Sequence, residues 1–77
     1  MNNNRRKELD KLSEKIEELK YQIDLIREDE EAYMDAIPEN LQGSQRYETA
    51  EEAVDALNSA VDSFDEILEY IETARGR

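Results

Sequence analysis

The chain has 77 residues, of which 40% are charged, and its formal net charge at pH 7 is −11. This length allows one small domain, and the absence of cysteine excludes a disulfide framework and a thiol nucleophile. The acidic balance disfavours direct binding to nucleic acid or to an anionic membrane, because both carry negative charge.

The first predicted element is an amphipathic helix from about residue 4 to residue 36, which Asn2, Asn3 or Asn4 can cap. Its seam residues recur at steps of three and four, which keeps them on one side of a helix, as in a coiled coil. They are Leu9, Leu12, Ile16, Leu19, Ile23, Ile26, Glu30, Tyr33 and Ile37. Disorder is the alternative for so charged a chain, but disordered segments lack a sustained apolar period.

Glu30 is the one charged residue in this seam. A charge at a seam position costs stability, although it can specify register or oligomer state. We interpret Glu30 as a hydrated side chain at a point where the seam opens near the turn. The alternative is a carboxylate that binds a specific partner.

A turn is predicted at residues 37–43. Pro38 ends the first helix because it disfavours the helical conformation of the residue before it. Gly43 is suited to a left-handed conformation, and Ser44 is the expected N-cap of the second helix. A later start at Thr49, which opens a capping box with Glu52, is the alternative.

The second predicted helix runs from about residue 44 to residue 74. Its seam contains Tyr47, Ala50, Val54, Leu57, Val61, Phe64, Leu68 and Ile71. Two helices of similar length around a short turn predict an all-α fold, an antiparallel two-helix coiled-coil hairpin that forms one domain over residues 1–77. A turn centred near Asn40 pairs Leu9 with Ile71 and stacks Tyr33 on Tyr47 in the core. A slip of seven residues is the alternative register.

The second helix has a wider apolar surface than the first, since Ala53, Ala60, Ile67 and Ala74 lie beside its seam. Three apolar positions per heptad are typical of a helix that touches two neighbours. We therefore predict self-association, most simply a dimer of hairpins that forms a four-helix bundle. The residues expected to mediate it are Tyr21, Leu25, Ala53, Ala60, Ile67 and Tyr70.

Acidic residues concentrate towards the predicted turn. Residues 28–74 contain fifteen acidic side chains and one basic one, Arg46. The simplest interpretation of this charge is a solubilising helix surface. The second hypothesis is a docking surface for a basic protein partner, formed by the carboxylates of Glu28, Asp29, Glu31, Asp35, Glu51 and Glu52. Adventitious Ca²⁺ or Mg²⁺ binding is the third possibility, although the EF-hand spacing is missing.

No catalytic residue, metal site or cofactor is predicted. The sequence contains neither His nor Cys, which removes the usual general base and transition-metal ligands. Its two glycines cannot form a glycine-rich phosphate loop. No stretch approaches 18 apolar residues, and the N-terminal residues lack the apolar region of a signal peptide. We expect a non-enzymatic, soluble, cytoplasmic protein.

The segment Pro38-Glu39-Asn40-Leu41-Gln42, followed by Ser44, Arg46-Tyr47-Glu48, Glu51-Glu52-Ala53 and Leu57, resembles a known family pattern. The family consists of small uncharacterised helical-hairpin proteins encoded by phages and mobile elements of Gram-positive bacteria. The likeness covers roughly residues 33–74. It implies a helical fold and an accessory role, with no functional residue to carry over.

Two functional hypotheses follow. The first is a non-enzymatic, self-associating helical module for protein–protein interaction, in a phage or mobile-element setting. The second is an acidic inhibitor that mimics nucleic acid and blocks a basic host protein, such as a bacterial defence nuclease, in the manner of an anti-CRISPR protein.

Overall fold

The computed structural model describes residues 1–76 and contains two long helices joined by a short turn. Helix α1 spans Asn3–Asp35, helix α2 spans Gln45–Arg75, and one 3-10 turn at Glu39–Leu41 lies between them. The helices pack against each other in opposite directions, so the molecule is a rod of 59 × 15 × 14 Å. The predicted all-α antiparallel hairpin is confirmed. Within residues 1–76, neither helix is apolar enough over a sufficient length to cross a membrane.

Side-chain caps mark the start of both helices. The Asn2 side-chain oxygen accepts a hydrogen bond from the Arg5 backbone N–H at 2.9 Å. The Ser44 hydroxyl accepts one from the Tyr47 backbone N–H at 3.3 Å, so α2 begins at the predicted Ser44 cap and Thr49 lies inside the helix. These bonds satisfy amides that have no partner within the helix. The helix bounds lie within one residue of the predicted ones.

The chain reverses direction between the end of α1 at Asp35 and the start of α2 at Gln45. Pro38 is extended, with φ −55° and ψ 143°, and Leu41 N–H donates to the Pro38 carbonyl at 2.8 Å. Gly43 lies in this turn but does not adopt the left-handed conformation to which it is suited, because its φ is not positive. Within residues 1–76 the positive φ belongs to Gly76, at 73°, where its N–H caps α2 by donating to the Glu72 carbonyl.

The buried core is small and lies at the turn end of the rod. Of residues 1–76, only Ile37, Ala50 and Val54 are buried among the apolar side chains. The rest of the α2 seam is half-buried against α1. A single pair of helices therefore encloses little of its own apolar surface.

Within the hairpin, α2 covers only half of the α1 seam residues. Leu9, Ile16 and Ile23 are half-buried, whereas the exposed fractions of the other half are 49% for Leu12, 51% for Leu19, 59% for Ile26 and 42% for Tyr33. The prediction that the whole α1 seam faces α2 is wrong. One neighbouring helix covers one side of the seam, and Ser13, Lys20 and Arg27 complete that side.

The contacts between the helices correspond to the register centred near Asn40. Arg6 Nε donates to the Arg75 carbonyl at 2.9 Å, whereas a seven-residue slip would place Arg6 beyond the end of α2. Lys20 reaches Asp65, which lies nearer the open end of the rod. That offset follows because side chains lean towards the N-terminus of their own helix.

Candidate interaction surfaces

One broad face of the hairpin is marked by ion pairs, and we call it the ion-pair face. Lys20 Nζ lies 2.5 Å from an Asp65 oxygen, and Arg75 Nε lies 2.5 Å from an Asp10 oxygen. Hydrogen bonding to Asp65 raises the pKa of Lys20 above its usual value, and the hydrogen bond to Asp10 does the same for the pKa of Arg75. Charged groups that span both helices suit a surface in contact with water.

Tyr33 and Arg46 mark the opposite face. Arg46 Nε donates a hydrogen bond to the Tyr33 hydroxyl, and the Arg46 guanidinium carbon lies 5.2 Å from the Tyr33 ring centroid. Side chains seven residues apart lie on the same side of a coiled helix. The steps of seven from Tyr33 and from Arg46 therefore lead to residues that share this face. With Tyr33 they form what we call the open apolar face: Leu12, Leu19, Ile26, Ala53, Ala60 and Ile67.

The open apolar face is long and accessible. From Leu12 to Tyr33 it follows the rod for about 30 Å at 1.5 Å per residue. Ile67 is 44% exposed, while Ala53 and Ala60 are half-buried and leave the backbone of α2 within reach of another helix. A contiguous apolar strip of this kind is uncommon on a monomer and is typical of an interaction site.

Five of the six residues predicted for self-association lie on or beside this face. Ala53, Ala60 and Ile67 belong to it. Tyr70, three residues after Ile67, borders it on α2, and Leu25 lies at its outer edge on α1, with exposed fractions of 73% and 42%. Tyr21 does not join them, since it lines a shallow groove on the ion-pair face beside Lys20 and Asp65.

The heptad pattern alone does not identify four residues of this surface, because it places them in the contact between α1 and α2: Leu12, Leu19, Ile26 and Tyr33. A seam that one neighbour covers and a seam that two neighbours share have the same seven-residue period. The width of the α2 stripe was the available signal, and it indicated a second neighbour without showing which α1 residues that neighbour meets.

The Tyr33–Tyr47 stack predicted for the core is wrong. Tyr33 is 42% exposed and contacts Arg46, while Tyr47 is half-buried in the α2 seam. Because Tyr33 lies on the open apolar face, its ring contacts Arg46, which lies on the same face at the start of α2. Together with the half-buried Glu30, Tyr33 and Arg46 line an open groove near the turn.

The predicted acidic residues all lie in the turn half of the rod, and they are not equivalent. Glu28, Asp29, Asp35, Glu51 and Glu52 are exposed. Glu31 is half-buried, and its carboxylate accepts a hydrogen bond from Arg27 Nη1 at 2.6 Å.

Arg27 neutralises part of this acidic surface. Its Nε also donates to Asp24 at 2.8 Å, and this hydrogen bond is the main reason that the pKa of Arg27 is raised. Across residues 1–76, no three carboxylates converge in an arrangement that could hold a metal ion. The five exposed carboxylates are therefore a dispersed negative surface.

Comparisons of the chain with protein-family models, with curated proteins and with solved structures give no match.

Proposed function

We propose that this protein is a non-enzymatic helical interaction module that acts as a homodimer, in which two hairpins pack through their open apolar faces into a four-helix bundle. The observation that carries the proposal is the exposure of half the α1 seam along the same face as Ala53, Ala60 and Ile67. In a four-helix bundle each helix touches two neighbours, so the half of the α1 seam that the hairpin leaves exposed is buried as well.

The accessible area supports association. The chain exposes 6069 Å², whereas a folded monomer of 9.0 kDa exposes about 4,900 Å² by the usual scaling with mass. The excess, about 1,200 Å², is comparable with the area that each partner buries in an obligate dimer. A second copy that covers the open apolar face brings the exposed area per chain into the ordinary range.

Sedimentation equilibrium tests this proposal. We expect the wild-type protein at micromolar concentration to have twice the mass of the chain. Ile26→Asp places a carboxylate in the centre of the open apolar face, so we expect the dimer to dissociate.

Tyr21→Asp is the matched control. Tyr21 is as exposed as Ile26, at 63% against 59%, and it lies on the ion-pair face, so this variant should stay dimeric. A wild-type monomer with full helical circular dichroism would refute the proposal. So would equal behaviour of the two variants.

The biological setting in the proposal is that of a phage or mobile-element accessory protein. It is supported by the resemblance of residues 38–57 to that family. Such a gene should lie among structural or regulatory genes of a phage or of an integrated element. Sequencing the flanking DNA tests it, and a neighbourhood of metabolic genes would count against it.

A second candidate function is an inhibitor that mimics nucleic acid on a basic protein such as a defence nuclease. The observation that favours it is the exposure of five of the six predicted carboxylates in the turn half, outside the open apolar face. Carboxylates can substitute for phosphates in a basic groove, and such binding weakens strongly with salt.

Competition with a labelled DNA duplex for a basic DNA-binding nuclease tests the second candidate. The protein should displace the duplex at low salt, and Glu28→Gln, Asp29→Asn and Glu51→Gln together should abolish this displacement. Glu66→Gln with Glu69→Gln removes exposed charge from the other half of α2 and is the control. Equal displacement by both sets of variants would exclude a specific acidic surface.

A further inference from the structure

We propose that the two hairpins of the dimer lie with their turns at opposite ends, so that α1 of one copy runs antiparallel to α1 of the second. This inference rests on the proposed dimer and adds its geometry. Two-fold symmetry allows two ways to join the open apolar faces. With the turns together, each α1 lies over α2 of the second copy, and with the turns apart, each helix lies over its own counterpart.

The charge of the rod separates the two arrangements. Residues 22–57, the turn half, contain eleven acidic and two basic side chains, which is a net charge of −9. Residues 1–21 with 58–76, the open half, contain ten acidic and seven basic side chains, which is −3. Turns that lie together place two −9 halves side by side, whereas turns that lie apart place each −9 half beside a −3 half.

The open apolar face is centred where such a dimer requires. On α1 its midpoint falls between Leu19 and Ile26. On α2 the row that runs at steps of seven from Arg46 to Ile67 has its midpoint between Ala53 and Ala60. Because Tyr33 contacts Arg46, equal steps along both helices bring these midpoints to the same height on the rod. A two-fold axis at that height sets Leu19 against Ile26 of the second copy and Ala53 against Ala60 of the second copy.

A row of three exposed residues on α1, beside the open apolar face, allows ion pairs between the two copies. Lys15, Gln22 and Asp29 follow each other at steps of seven. With the turns apart, Lys15 faces Asp29 of the second copy, twice in each dimer, and the two Gln22 side chains meet at the axis. Within the hairpin, Lys20 and Asp65 form the equivalent pair beside a seam of antiparallel helices. With the turns together, Lys15 and Asp29 instead lie over neutral residues, Ser63 and Thr49 of the second copy.

Engineered disulfides distinguish the arrangements, because the chain contains no native cysteine. With the turns apart, Gln22→Cys should oxidise almost completely to a covalent dimer. Glu14→Cys, on the outer surface of α1, should stay reduced under the same mild conditions.

The opposite geometry has its own signature. If Leu19→Cys mixed with Ala60→Cys forms the covalent dimer and Gln22→Cys does not, the turns lie together. That outcome overturns this inference and leaves the proposed dimer standing. A monomeric wild-type protein overturns both.

A charge exchange gives an independent measurement of the same contact. Lys15→Glu and Asp29→Lys should each weaken the dimer several-fold, and the double variant should return to near the wild-type dissociation constant. The control Glu14→Lys changes the net charge as Asp29→Lys does, so it should leave the dimer unchanged or tighten it. Tightening by Asp29→Lys would contradict the antiparallel arrangement, because it would show that only the net charge matters.

Discussion

Arg27 and Glu30 show how differently two charged side chains are accommodated on the inner side of α1. The Arg27 side chain is 19% exposed, and its guanidinium is satisfied within its own helix by Asp24 and Glu31. Glu30 is also half-buried, and no ion pair found among residues 1–76 includes it. Spacings of three and four residues give Arg27 its partners, while Glu30 faces the groove that Tyr33 and Arg46 line.

Glu30→Leu should therefore stabilise the protein. The substitution exchanges a partly desolvated carboxylate for an apolar side chain at a seam position, worth about 1 kcal/mol of unfolding free energy. For a chain of this size that corresponds to a rise of roughly 4–8 °C in the melting temperature. Thermal denaturation followed by circular dichroism measures it.

The control for Glu30→Leu is Glu28→Leu, which removes an exposed carboxylate two residues away. It should leave the melting temperature almost unchanged. A lower melting temperature for Glu30→Leu would instead show that the Glu30 carboxylate has a specific role, as the alternative interpretation of the sequence holds.

Among the elements, the connection between the helices uses its glycine differently from expectation. Ala36 ends α1 in the right-handed region, with φ −79°, and Pro38 then turns the chain. Gly43 has no positive φ, and a Cβ atom placed on it meets nothing within 4 Å. The conformational freedom of Gly43 therefore favours the unfolded chain and lowers the free energy of unfolding, and the folded turn does not need that freedom.

Gly43→Ala should raise the unfolding free energy by about 0.4–1 kcal/mol, because it restricts the unfolded chain without strain in the folded one. Gly76→Ala is the matched comparison, since φ at Gly76 is 73° and a side chain is disfavoured there. Gly76→Ala should therefore not raise the unfolding free energy. Chemical denaturation of both variants measures the difference, and destabilisation by Gly43→Ala would show that the turn needs its glycine.

On the scale of the whole molecule, the small core at the turn end has a thermodynamic consequence. Ile37, Ala50 and Val54 are the buried apolar residues within residues 1–76, and most of the rod is covered on one side only. If association completes the core, folding and dimerisation are one equilibrium, and stability depends on protein concentration.

The melting temperature should accordingly rise by several degrees when the protein concentration increases about a hundredfold. Ile26→Asp should remove this dependence because it removes the association. Calorimetry or circular dichroism over that range provides the measurement. A melting temperature that is independent of concentration in the wild-type protein would mean that one hairpin is stable by itself.

The sequence by itself determined the two helices, their ends and their antiparallel packing. These features depend on neighbouring residues: the steps of three and four along α1 and α2, the Ser44 cap, and Pro38 after Ile37. Such signals act over one or two helical turns, so they can be recognised without knowledge of the fold. The same period also indicated the α2 part of the candidate surface, because Ala53, Ala60 and Ile67 widen the α2 stripe.

Only the tertiary structure decided which half of the α1 seam α2 covers. Leu9 and Leu12 are equally apolar and fit one heptad equally well, and the rotation of α1 about its axis selects Leu9. That rotation depends on the sum of contacts along the whole rod, among them Tyr33 with Arg46 and Lys20 with Asp65. Contacts between residues far apart in the chain leave no local pattern, and for that reason the open apolar face became visible only in the folded hairpin.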